Sequence, residues 1–181
     1  MCCARNGVVR RHNAITYYLS KLASASSLPH RVECGLGGEM RERPGDISLL
    51  QWRGGGVHYV DICVCHPLTL SSVWSLVESG SECLEEAEAG KRRKYKSVLP
   101  DVDNCFSVFG VSTFGKLSLG AEQLLEEIIS CYSTDVSCVE EVELNRNRIM
   151  QQLGMILYRE LARMLLVGVR DVMVDPMEGV G

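Results

Sequence analysis

Apolar positions along the chain switch between helical and strand spacing several times, and each switch marks an element. Ile15, Leu19, Leu22 and Ala23 recur at three and four residues and predict a helix over 12–28, with Asn13 as its cap and Pro29 as its stop. Residues 31–35 read as a short strand bearing Glu33, and Gly35, Gly37 and Gly38 open a loop. Residues 47–50 form a second strand. Gly54, Gly55 and Gly56 turn the chain into a third, so the two pair as a hairpin. Over 57–65, Val60, Ile62 and Val64 share one face, while Tyr59, Asp61, Cys63 and Cys65 share the other. Both faces are largely apolar, as in a central strand covered on both sides. A helix over 81–98, a strand over 105–109, an amphipathic helix over 119–132 and a long closing helix over 142–167 complete the order α-β-β-β-α-β-α-α. Trp74 reads as a helix-packing residue. The pattern predicts a small α/β domain over 10–132, a polar linker over 133–141, and a C-terminal helix over 142–168. Ile149, Leu153, Ile156, Leu157, Leu161 and Leu165 form that helix's stripe, which packs on the domain or on a protein partner.

Composition narrows the class. Hydrophobic residues make up 46% of 181, enough for a core, and the net charge is −4. A charge of that sign and size argues against a large nucleic-acid wrapping surface. Its distribution is uneven: residues 1–60 carry +4 and the remainder −8. The basic third is thus the part suited to phosphates. The nine cysteines contain no Cys-x-x-Cys pair and read as buried thiols of a reducing compartment. No stretch approaches the length of a membrane span. These features predict an intracellular protein with the nucleus favoured. Arg5, Arg10 and Arg11, ahead of any acid, leave a mitochondrial import signal open.

Two carboxylates stand out. Asp46 follows Pro44 and Gly45, and Asp61 places a charge inside an apolar strand. A buried carboxylate needs a partner or a metal. If their strands pair, Asp46 and Asp61 could converge on Mg2+ or Mn2+, with Glu33 as a third oxygen ligand and a lysine stabilising charge. Equally, Asp46 could cap a turn and Asp61 meet an arginine. The run Lys91-Arg92-Arg93-Lys94-Tyr95-Lys96 follows an acidic half-helix. That order suits the helix dipole as well as it suits DNA. Trp52 and Arg53 could stack on a base and hold a backbone, or simply anchor the hairpin. Cys63, Cys65 and His66 lack a second ligand pair, so zinc is not favoured.

The order Arg11-His12-Asn13, Arg43-Pro44-Gly45-Asp46-Ile47, Val60-Asp61-Ile62-Cys63, Gly90-Lys91-Arg92-Arg93-Lys94-Tyr95 and Phe114-Gly115 resembles the restriction-endonuclease-like domain of the PD-(D/E)xK superfamily. More narrowly, it resembles the version carried by site-specific non-LTR retrotransposon proteins. The resemblance covers roughly residues 10–130. It implies a restriction-endonuclease-like core: a small mixed sheet flanked by helices, followed by a C-terminal helix. It further implies Asp46 and Asp61 as metal ligands, with Lys94 or Lys91 and Tyr95 completing the catalytic set. Arg11, His12, Asn13, Arg43, Arg92 and Arg93 join Trp52 and Arg53 as candidate nucleic-acid contacts. Cys63 stands where the wider superfamily places its lysine, so the charge must come from the following helix.

The expected function is therefore a metal-dependent DNA endonuclease, a hydrolase of phosphodiester bonds, with DNA as partner. Its alternative is a catalytically inactive, domesticated nuclease fold. That protein would serve as a nucleic-acid-binding or structural subunit of a large ribonucleoprotein or organellar assembly.

Overall fold

The computed structural model describes residues 2–32, 45–53, 55–99, 101–132 and 139–173. Glu33, Arg43 and most of the predicted linker lie outside them. Four strands form one mixed sheet in sequential order: β1 (His30–Val32), β2 (Ile47–Trp52), β3 (Gly56–Cys65) and β4 (Phe106–Ser112). The first three are antiparallel, with His30 opposite Leu49 and Ile47 opposite Val60. β4 joins β3 in parallel, with Val108 beside Asp61. A parallel partner requires a crossover. It is made by α2 (Leu70–Ser79), α3 (Cys83–Tyr95) and the single turn α4 (Val102–Cys105).

The alternation along β3 divides the interior into two layers. Val60 and Ile62 join Ile47, Leu49, Phe109 and Val111 beneath the helices α1 (Cys2–Ala25), α5 (Leu119–Tyr132) and α6 (Val139–Met173). On the opposite face, Tyr59 and Cys63 meet Phe106, Val108, Tyr95, Leu99 and Val102. Asp61 belongs to that second face, so α3 is the helix that covers it.

Helix α1 starts well before residue 12. Asn13 is consequently inside the helix and caps nothing. Its inward stripe runs Gly7, Arg11, Ile15, Leu19 and Ala23, a strict spacing of four. Gly7 lets α6 approach closely: a Cβ there would sit 2.8 Å from Met164 Sδ. Helix α6 buries Leu153 and Leu157 against the domain, so its stripe is used within the chain. Leu165, which the sequence placed in that stripe, is 60% exposed instead, and Met155, Tyr158 and Leu166 are exposed as well.

Helix α2 has no counterpart in the predicted element order. Thr69 caps its start through Ser72 N, and Gly80 ends it in the left-handed region at φ 69°. None of its residues is buried, and Trp74, expected to pack, is 62% exposed.

Leu153→Ala tests whether α6 is part of the core. Deleting so buried a side chain is expected to cost about 2–5 kcal/mol in denaturant unfolding. A loss below about 0.5 kcal/mol would mean that α6 does not dock on this domain.

Candidate functional site

Asp46, Asp61, His12, Lys91 and Tyr95 meet where β2 begins, at the middle of β3 and under the end of α3. The Asp46 N–H donates to Val60 O at 2.8 Å, and its Oδ2 accepts from Ile62 N at 2.7 Å. Asp46 thus bonds the strand on both sides of Asp61 and continues the ladder one step past β2. The approach is so close that a Cβ on Gly45 would lie 2.8 Å from Val60 O. Backbone cannot yield there as a side chain can, which explains the glycine before Asp46.

The same Asp46 Oδ2 accepts from His12 Nε2 at 2.9 Å. Burial works to raise the Asp46 carboxyl, but the His12 and Ile62 hydrogen bonds and the charges of His12 and Lys91 outweigh it and hold it below its usual value. The Asp46 hydrogen bond raises the His12 imidazole against the cost of its burial. Asn13 Oδ1 lies 3.3 Å from His12 Nδ1.

Asp61 is 4% exposed. Lys91 Nζ lies 2.5 Å from its Oδ2, and the Tyr95 hydroxyl donates to its Oδ1 at 3.2 Å. The Lys91 contact is an ion pair rather than an aligned hydrogen bond. Lys91 and Tyr95 are four residues apart on α3, which puts both on one helix face. That helix is set by Leu84 in the core and by the Glu82 N–H bonded to Glu85 at 3.2 Å. Burial lowers the Lys91 ammonium, but Asp61 more than compensates, and the net shift is upward. Burial and the charge of Asp61 push the Tyr95 phenol up, so it remains a donor.

Lys94 is one step removed. Its Nζ lies 3.3 Å from the Tyr95 hydroxyl and 4.7 Å from that ring's centroid. It sits about 100° around the helix from Tyr95, off the face that meets β3. Of the two lysines the resemblance offered, Lys91 and not Lys94 is therefore the one on Asp61.

The expected endonuclease centre is overturned. Among the described residues no group of three or more His, Cys, Asp and Glu side chains could hold a metal ion. Asp61 spends both oxygens on Lys91 and Tyr95, and Asp46 spends Oδ2 on His12 and Ile62. A divalent magnesium or manganese ion needs several free oxygen ligands in near-octahedral order. These carboxylates, neutralised by the protein's own cations, do not fit it. Glu33, the third expected ligand, lies outside the described residues. The expected magnesium-dependent hydrolysis of phosphodiester bonds falls with that centre.

The remaining sequence candidates scatter. Arg11 is 8% exposed and points into the α1 interior stripe. Trp52 is buried and stacks on His58 with ring centroids 5.2 Å apart, the anchoring geometry. Arg53 is tied to Glu127 of α5. Arg92 pairs with Glu88 at 3.4 Å and Asp103 at 3.7 Å, while Arg93 is exposed. A cavity of about 780 Å3 lies between α3 and α5 along β4 and includes none of the Asp61 cluster. Glu82, Glu85, Glu88, Asp103, Glu122 and Glu127 outnumber the bases lining it, so it repels phosphate. His12 was legible only through its motif: no spacing rule links residue 12 to residue 46.

Compared with family models and with curated proteins, the chain matches none. No helix among the described residues is long and apolar enough to cross a membrane.

Two outcomes follow from these pairs. Lys91→Met leaves Asp61 buried without its cation and should cost about 2–4 kcal/mol at neutral pH, reduced from the fully buried case because Lys91 is one-third exposed. Adding Asp61→Leu should restore part of that loss. Equal stability of wild type and Lys91→Met would show that the pair does not form. For the second pair, the lowered Asp46 value contributes stability above its ordinary 3.8 that is lost as pH falls through the folded value. The raised His12 value contributes stability below its ordinary 6.5 that is lost as pH rises through the folded value. The wild type minus His12→Gln difference, of about 1 kcal/mol, should therefore peak between about pH 4 and 6.5 in unfolding experiments run across pH. A flat difference would exclude the His12–Asp46 linkage.

Proposed function

We propose that this protein is a catalytically inactive descendant of the restriction-endonuclease-like domain of non-LTR retrotransposon proteins, now serving as a nucleic-acid-binding subunit. The observation that carries the reading is the closed Asp61–Lys91–Tyr95 cluster, with Asp46 bonded to the strand on either side of Asp61. A strand acid, a preceding acid on a paired strand and a lysine from the following helix match the order the resemblance implies. The cluster differs from a working nuclease centre in that its acids are neutralised internally.

Binding then depends on the cations left around that cluster. Arg93, Lys94 and Lys96 are exposed at the end of α3, beside the site and not on the acidic cleft. A protein that neutralises phosphates this way binds backbone rather than sequence, and weakens as salt rises. A second reading, a structural role within an assembly, is favoured by α2. Leu70, Trp74 and Val77 are 82%, 62% and 71% exposed there, an apolar surface of the kind partners cover.

Fluorescence anisotropy with short DNA and RNA duplexes and single strands at two salt concentrations tests the first reading. The variant combining Arg93→Ala, Lys94→Ala and Lys96→Ala should weaken binding at least tenfold, about 1.4 kcal/mol, and flatten the salt dependence. Unchanged binding in that variant, or no binding by the wild type, would overturn it. Plasmid incubated with Mg2+ or Mn2+ should stay intact. Cutting that Asp46→Ala abolishes would overturn the inactive assignment.

A further inference from the structure

Cys63 and Cys65 stand at successive positions on one face of β3, the face that carries Asp61. Side chains so placed leave a strand about 6.6 Å apart, twice its rise. A disulfide needs Cβ atoms about 3.5–4.5 Å apart, so the pair cannot close on itself and stays a dithiol. The two sulfurs nevertheless lean together to 3.6 Å. Both thiols are free and half-buried, and their neighbours on β4 are the small Gly110 and Ser112. Among the described residues no strand pairs with β3 on its other side beyond Val60. The spacing that defeats a single S–S bond suits two bonds through an ion. Two sulfur–metal bonds of about 2.3 Å span sulfurs up to about 4.6 Å apart. Opening from 3.6 Å towards that value relaxes the lean of the side chains and moves no other element.

We propose that Cys63 and Cys65 form a two-coordinate site for a soft monovalent cation, cuprous copper. Thiolate sulfur selects Cu(I), zinc and iron–sulfur clusters. Zinc and the clusters take four protein ligands in their structural sites. Among the described residues no group of three or more His, Cys, Asp and Glu could hold a metal, so two sulfurs are what this face offers. A cuprous ion is satisfied by two thiolates in line, and the pair supplies both from one strand. Each thiol gives its proton to the buffer as its sulfur–copper bond forms. The ion stays cuprous and no electron moves, so the complex carries one negative charge. The Cys65 thiol also donates to the Cys83 carbonyl oxygen at 3.6 Å. That contact ends when Cys65 loses its proton, and the Cys83 sulfur supplies no ligand. The site does not rest on the nucleic-acid reading.

The test titrates the reduced full chain, without oxygen, against the coloured cuprous complex of bicinchoninate. The background carries Cys2→Ser and Cys3→Ser, which removes the adjacent thiols at the start of the chain. One equivalent of Cu(I) should pass to the protein. Cys63→Ser and Cys65→Ser, each checked for folding by circular dichroism, should each weaken that transfer at least about a hundredfold, while Cys83→Ser and Cys131→Ser leave it unchanged. A second readout needs no variant at the site. One equivalent of Cu(I) is added before iodoacetamide, and the chain is then digested with chymotrypsin. Cleavage after Tyr59 and Leu68 isolates Cys63 and Cys65 from every other cysteine. That peptide should be protected from alkylation while Cys105 and Cys131 are alkylated. No transfer of copper, transfer that Cys63→Ser and Cys65→Ser leave intact, equal loss in Cys83→Ser, or full alkylation of the peptide in the presence of copper would overturn the proposal.

Discussion

The Asp61 carboxylate is the constraint around which the second layer is built. A charge in the middle of a central strand is tolerated only where a cation and a donor meet it. That need fixes α3: Lys91 and Tyr95 must fall on one face, at helical spacing of four, over the middle of β3. The crossover that carries α3 over this face returns β4 parallel to β3. Tyr95 serves twice, as a donor to Asp61 and as a core ring packed 5.0 Å from Phe106.

The same interaction removes the chemistry that the sequence suggested. An ammonium on a carboxylate both satisfies it and occupies it. In a nuclease centre the acids gather around a dication and the lysine faces the reacting phosphate. Here lysine and acid face one another, and Asp46 is turned to His12 and the β3 backbone. What is left is a near-neutral cluster beneath the exposed cations of α3, while the large cleft on the other side of that helix is acidic. Charge is thus divided between two sides of one helix, a sharper division than the net −4 indicates.

Local patterning made much of the fold legible. The alternation in residues 57–65 predicts which side chains share each face of β3, because strand period is a backbone property. The helix over 119–132 is recovered at both ends for the same reason: its apolar stripe is continuous and long. Helix α2 escaped because its apolar residues, Leu70, Val73, Trp74 and Val77, meet solvent rather than core, so they complete no buried stripe to read against neighbouring elements. The start of α1 escaped because Arg11 and Gly7, not apolar residues, continue its inward stripe.

The sequence by itself determined that Asp61 lies in an apolar strand, that Asp46 follows Pro44 and Gly45, and that a lysine-bearing helix comes next. These are consequences of local periodicity and residue type. Only the tertiary structure decided who partners whom. Lys91 rather than Lys94 reaches Asp61, His12 crosses 34 positions to Asp46, and Arg53 closes on Glu127 instead of a phosphate. Charge pairing is a matter of distance and direction in three dimensions, where a rotation of about 60° around a helix exchanges one lysine for another. No pattern along the chain encodes that choice.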